Sequence, residues 1–307
     1  MTFSTDNLDP EIAAYLQKVQ PTMESAHQLS AVEMRSTFEA LRMPIGESIT
    51  VHEVRDLVIP SKEGGIKARL YRPRDSIKQP LLVWYHGGGW VLGDLDSADM
   101  TCRDIASQSG CQVLSVDYRL APEHPFPAAY EDAVTALHYA FQHASSFGSD
   151  ASQIAVGGDS AGANLAACAC LAAKDLNVKF QLLIYPVIEA DFDNTSYTEN
   201  ASNYFLTRNL MKWFWNQYVP EESSRSDVRV APLNADLTGL PATHLLTVQF
   251  DPLRDEGLKY AKALQQSGVE ATTAHSADTV HGFFTTPTKS GALARKEASI
   301  RLKSALM

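Results

Sequence analysis

The sequence predicts an α/β protein in which a largely parallel sheet is covered by helices on both faces. Three observations point there. Short β-rich runs recur along the chain and, from the third onward, mostly alternate with helical stretches, the order imposed by parallel strands and their crossover helices. Residues 155–167, AVGGDSAGANLAA, pass from an apolar run through an abrupt glycine-rich turn into helix-forming sequence. At 307 residues the chain can bury a large core, as one enlarged domain or as two.

The first 45 or so residues read as helix. Asp9 and Pro10 suit an N-cap and first helical position, and Ile12, Leu16 and Val19 form an apolar stripe. Ser30 and Glu33 form a capping box for a second helix through Leu41. Eight β-rich runs follow: HEVRDLVI, IKARLY, LLVWY, CQVLSVD, QIAVGG, FQLLIYP, THLLTVQF and VEATTAH. The first two, joined at Gly64 and Gly65, read as an antiparallel hairpin at one edge. After LLIYPVIEADFD the rhythm breaks for about fifty residues. That interval holds NLMKWFWNQYVP, a helix with Leu210, Trp213 and Phe214 on one side and Met211, Trp215 and Tyr218 on another. A helix apolar on two sides is buried on two sides, between the core and the N-terminal helices or as the wall of a pocket.

With 26 basic against 36 acidic residues the net charge is −10, and no long block of one sign occurs, so no nucleic-acid or anionic-membrane partner is expected. The start MTFSTDNLDP lacks a basic region followed by an apolar stretch. No later run reaches the roughly 18 apolar residues of a membrane span, and a cytoplasmic protein is expected. Cys102, Cys111, Cys168 and Cys170 show no metal spacing. Cys168 and Cys170, two apart on a helix, point to different faces, so buried free thiols are expected, with no disulfide and no structural zinc.

Chemistry in such a sheet belongs at the carboxyl ends of the strands. Gly158, Asp159, Ser160, Ala161 and Gly162 form G-x-S-x-G, the pattern of a strained turn that holds a serine hydroxyl outward. It arises by chance about 0.1 times in a chain of this length, so it cannot stand alone. The third strand ends in YHGGGW; three consecutive glycines are conformationally costly and suit amides that must approach a ligand closely. The amides of Gly88, Gly89 and Ala161 would then face a developing oxyanion. A serine needs a histidine to take its proton. Of nine histidines, His244, His275 and His281 lie well downstream of Ser160; the first two fall inside predicted strands, while His281 lies in a loop before the last helix. Asp251 closes the strand HLLTVQF and is the first candidate to orient it, with Asp278 as rival. Asp255 and Glu256 read as first-turn residues of the next helix. His86 and Asp159 sit beside functional backbone with no step of their own.

HGGGW, DYRLAPEHPFPAAYED, GGDSAGANLA, DPLRDEG and HGF together resemble the bacterial branch of the hormone-sensitive-lipase-like esterases, within the α/β-hydrolase fold; the motifs run from Val83 to Phe283. The resemblance implies a mostly parallel eight-stranded sheet with a helical cap. It also implies a serine carboxylic ester hydrolase with Ser160, Asp251 and His281 as triad and Gly88, Gly89 and Ala161 as oxyanion donors. The family's aromatic and glycine before the histidine are absent here, where a loop reads HSADTV. On this basis residues 1–45 form N-terminal cap helices, 46–191 the first part of the core, 192–225 a cap insertion and 226–307 the second part of the core. Trp90, Trp213 and Phe214 are the candidate pocket residues. The expected partner is a small ester of short to medium acyl length, with no cofactor or metal, and the protein a monomer or homodimer. The rival readings are an amidase or peptidase on the same triad, and a noncatalytic small-molecule binder that kept the pocket.

Overall fold

The computed structural model describes residues 7–44, 48–76 and 78–307. The expected division between residues 45 and 46 lies outside the described residues. Asp9 caps α1 (Pro10–Ser25), accepting the amides of Glu11 and Ile12 at 2.9 and 3.1 Å. Ser30 and Glu33 close a capping box on α2 (Ala31–Leu41), as the sequence pattern requires.

Eight strands follow. β1 (Glu53–Ile59), β2 (Ile66–Arg72), β3 (Gln79–Tyr85), β4 (Gln112–Asp117), β5 (Ser149–Asp159), β6 (Phe180–Ile184), β7 (Ala242–Phe250) and β8 (Ala271–Val280) form one sheet in the order β1-β2-β4-β3-β5-β6-β7-β8. β1 and β2 are the expected edge hairpin, β2 is antiparallel to β4, and all later pairings are parallel. Every residue of β3 and β6 is buried, because helices cover both faces of the parallel part.

The chain steps from β3 outward to β4, returns past β3 to β5, and continues through β6 and β7 to β8. Right-handed crossovers therefore place α3 (Leu95–Ser109) on one face and α4 (Ala128–Gln142), α5 (Ala161–Ala172) and α8 (Arg254–Gln266) on the other. The last helix, α9 (Lys289–Leu306), packs on α3. The reversal falls at β3, between β4 and β5, so the crevice above the carboxyl ends of β3 and β5 is where a ligand site belongs.

Two short helices, α6 (Thr195–Glu199) and α7 (Arg208–Tyr218), occupy the interval before β7. The segment between them docks on the N-terminal helices. Gln20 accepts the amide of Phe205 at 2.8 Å, Glu24 accepts that of Asn203 at 2.7 Å, and the Phe205 ring touches those of Tyr15 and Phe38. One expectation fails here: HSADTV is not a loop, because β8 runs through it to Val280, paired with β7 as far as Phe250. All four cysteines are free and buried. Among the described residues no helix is long and apolar enough to cross a membrane, and no cluster of three or more His, Cys, Asp or Glu side chains could hold a metal ion.

Candidate active site

β5 ends at Asp159 and α5 begins at Ala161, so Ser160 is the whole turn. Its φ of 56° and ψ of −121° are strained for a residue with a side chain, at a cost of roughly 1–3 kcal/mol. The flanking glycines make the turn possible. A Cβ on Gly162 would fall on the carbonyls of Tyr85 and His86, and one on Gly158 on the backbone of Gly162 and the Tyr85 carbonyl. The elbow is pressed against the end of β3, and its amide is anchored on Ile184 of β6 at 2.9 Å.

Asp251 and His281 leave the adjacent ends of β7 and β8, where Phe250 pairs with Val280. His281 Nε2 lies 2.9 Å from Ser160 Oγ and its Nδ1 lies 2.7 Å from Asp251 Oδ2. Asp251 is fully buried, and its other oxygen accepts the Leu253 amide at 2.8 Å. An ionised carboxylate only accepts, so Nδ1 carries the hydrogen and Nε2 is left to accept the serine proton. The rival residues lie elsewhere. Asp278 is exposed on β8, and its side chain accepts the Ser276 hydroxyl, at 3.4 Å. His244 is paired with Thr272 at 2.8 Å, where burial pushes its pKa down to about 4, and His275 with Thr247 at 3.0 Å. Sequence reasoning missed Tyr185, whose ring packs 4.4 Å from the His281 ring, centroid to centroid. Its place at the carboxyl end of β6 was the available signal.

On the other side of Ser160 lies the turn after β3. Gly88, Gly89 and Trp90 have successive φ values of 116°, 60° and 60°. The space a Gly88 side chain would need is filled by the Leu92 backbone, and that of Gly89 by the Phe214 ring. No backbone carbonyl among the described residues accepts the amide of Gly88 or Gly89. Ala161 is the first residue of α5, where helical amides have no intrahelical acceptor. Asp159 accepts the Gly87 amide at 3.1 Å, and burial pushes its carboxyl up to about 6. His86 stacks on Tyr118 and donates Nδ1–H to the Gly87 carbonyl at 2.8 Å; burial lowers its pKa and keeps it neutral.

A cavity of about 350 Å³ opens above Ser160 and His281. Leu206, Leu210 and Phe214 wall it from one side, Tyr15 and Phe38 from the N-terminal helices. Of the three aromatic residues expected in the pocket, only Phe214 lines it. The positive φ of Trp90 turns its ring into the core, stacked on Tyr218 at 4.5 Å and edge-on to Trp215 at 5.2 Å. Trp213 lies off the cavity face of α7, half-buried beside Phe214.

A family model described as the alpha/beta hydrolase fold matches residues 82–285. The carboxylic ester hydrolase LipN of Mycobacterium tuberculosis is 44% identical over 83% of this chain and 69% of its own. The ethyl acetate hydrolase of Pseudomonas putida is 35% identical over 90% of this chain and 92% of its own. Among solved structures, the hyperthermophilic esterase of the archaeon Pyrobaculum calidifontis superposes with a TM-score of 0.90 at 38% identity, covering 97% of this chain and 98% of its own.

Proposed function

The chain belongs to the α/β-hydrolase fold family, and within it we propose a serine carboxylic ester hydrolase that cleaves short- to medium-chain acyl esters through an acyl-enzyme on Ser160. The observation that carries this reading is the unbroken sequence of contacts from Ser160 Oγ through the His281 ring to the buried Asp251 carboxylate. Ser160 Oγ attacks the ester carbonyl while His281 Nε2 takes its proton, and Asp251 holds the ring's tautomer and steadies the imidazolium. The amides of Gly88, Gly89 and Ala161 donate to the tetrahedral oxyanion. His281 then gives its proton to the leaving alcohol; water, activated by the same ring, attacks the acyl-enzyme and releases the acid.

The relatives named as ester hydrolases support the reaction class. The cavity supports the chain length, because about 350 Å³ is at the small end of the roughly 300–1,000 Å³ typical of ligand pockets. The test is a series of p-nitrophenyl esters run beside matched p-nitroanilides. Catalytic efficiency should rise from acetyl to a maximum near butanoyl to hexanoyl and fall beyond about ten carbons, as added methylenes find no volume in which to gain their roughly 0.8 kcal/mol. Ser160→Ala should lose turnover on the order of a millionfold. Asp251→Asn should lose about ten-thousandfold and Asp278→Asn little. Faster turnover of the anilides would make the protein an amidase. Ester hydrolysis surviving in Ser160→Ala would remove the nucleophile.

A further inference from the structure

Three successive positive φ angles make the Gly88–Trp90 turn strained, and glycine excuses only two of them. Such backbone persists only where its surroundings over-determine it. Within the turn, the Gly88 carbonyl accepts the amides of Val91 and Leu92 at 3.1 and 2.9 Å. From outside, the Trp90 carbonyl accepts the Ala121 amide at 2.9 Å. The Val91 carbonyl accepts Nε–H of Arg35, on α2, also at 2.9 Å. The same guanidinium donates from Nη2 to the Ala121 carbonyl at 3.0 Å and forks onto Glu123 at 2.8 and 2.7 Å. One N-terminal side chain thus holds the turn directly at Val91, and again through Ala121, the residue whose own amide tethers the Trp90 carbonyl. An exposed ion pair alone would contribute little. The two backbone carbonyls give this arginine a different role, one that the flat fork of a guanidinium can fill and a lysine cannot.

We propose that Arg35 is a positioning residue of the oxyanion hole, fixing the Gly88–Leu92 turn so that the Gly88 and Gly89 amides stand where the tetrahedral oxyanion forms. The N-terminal helices then do more than cover the site: through Arg35 they set the catalytic geometry. The inference rests on the reading of Ser160 as nucleophile and of these amides as its oxyanion donors.

The test compares Arg35→Ala and Arg35→Lys with Glu24→Ala, which cuts the tie between α1 and Asn203 without touching the turn. kcat and KM are measured on p-nitrophenyl butanoate, with melting temperatures alongside. A misplaced donor should lower kcat by about 10- to 100-fold in both Arg35 variants, with KM within about threefold, because the lost interaction exists only in the transition state. Added guanidinium ion at low millimolar concentration should restore part of the kcat of Arg35→Ala and none of that of Glu24→Ala. Arg35→Lys keeps the charge and the aliphatic stem, so it reports even if Arg35→Ala folds poorly. The proposal is overturned if either Arg35 variant retains wild-type kcat, or if Glu24→Ala loses as much. A wild-type protein inert towards every ester would instead overturn the esterase reading beneath it.

Discussion

Asp159 is a carboxylate buried beside Ser160, where it accepts the Gly87 amide at 3.1 Å. Its use is to pin the first peptide of the glycine turn; its burial raises the carboxyl from the ordinary value of about 3.9 to about 6. The sign of the effect on stability follows. The folded state holds this proton more tightly than the unfolded chain, so the contribution is complete below about pH 4 and is lost as pH rises through 6. Asp159→Asn keeps an oxygen for Gly87 and removes the titration. Its melting temperature relative to wild type should therefore climb between pH 4 and pH 7 and level off above, a swing of up to about 3 kcal/mol. A difference flat across that range would mean the Asp159 carboxyl is not the strained group.

α7 decides the shape of the cavity by its rotational phase. Leu210 and Phe214, four residues apart, share the face towards Ser160, while Trp215 and Tyr218 share the face that grips Trp90. Phe214 also fills the space that a side chain at position 89 would occupy, so cavity wall and glycine turn are in contact. Removing that ring should lengthen the acyl chains accepted, and it should also cost stability, since Phe→Ala at a buried site removes about 3–5 kcal/mol. In Phe214→Ala the ratio of octanoyl to butanoyl efficiency should rise at least about fivefold, the worth of roughly two newly buried methylenes after partial collapse of the site. An unchanged ratio would place the acyl chain on the other side of the cavity.

At the scale of the whole molecule, two segments far apart in sequence meet over the carboxyl ends of the strands. The contacts of Gln20, Glu24, Tyr15 and Phe38 with residues 203–205 tie the N-terminal helices to the insertion. Arg35 ties the same helices to the core. A cover fastened at both ends is not expected to swing open on a lipid surface. With tributyrin, the rate should follow a hyperbola through the solubility limit with no break. A jump in rate as droplets form would show an interfacial lid and overturn the view that residues 192–225 are a fixed wall.

What this sequence determined by itself is local. The N-cap of Asp9, the capping box of Ser30 and Glu33, and the eight β-rich runs are each set by neighbours a few residues away, and each stands in the structure. The glycines around Ser160 and after His86 were legible as turn residues from the local pattern. What fills their side-chain space is local at Gly88, where it is the Leu92 backbone, and distant at Gly162 and Gly89, where it is the Tyr85 and His86 carbonyls and the Phe214 ring. Only the tertiary structure separated Asp251 from Asp278, because the choice depends on which strand ends come to lie side by side. It alone chose Phe214 over Trp90 and Trp213 for the cavity, since an aromatic helix names its apolar residues without naming what each face will meet. The role of Arg35 was out of reach altogether. Its acceptors on Val91 and Ala121 lie 56 and 86 residues away, after β3 and β4, and nothing in a short surface helix reveals carbonyls brought beneath it by the order of the strands.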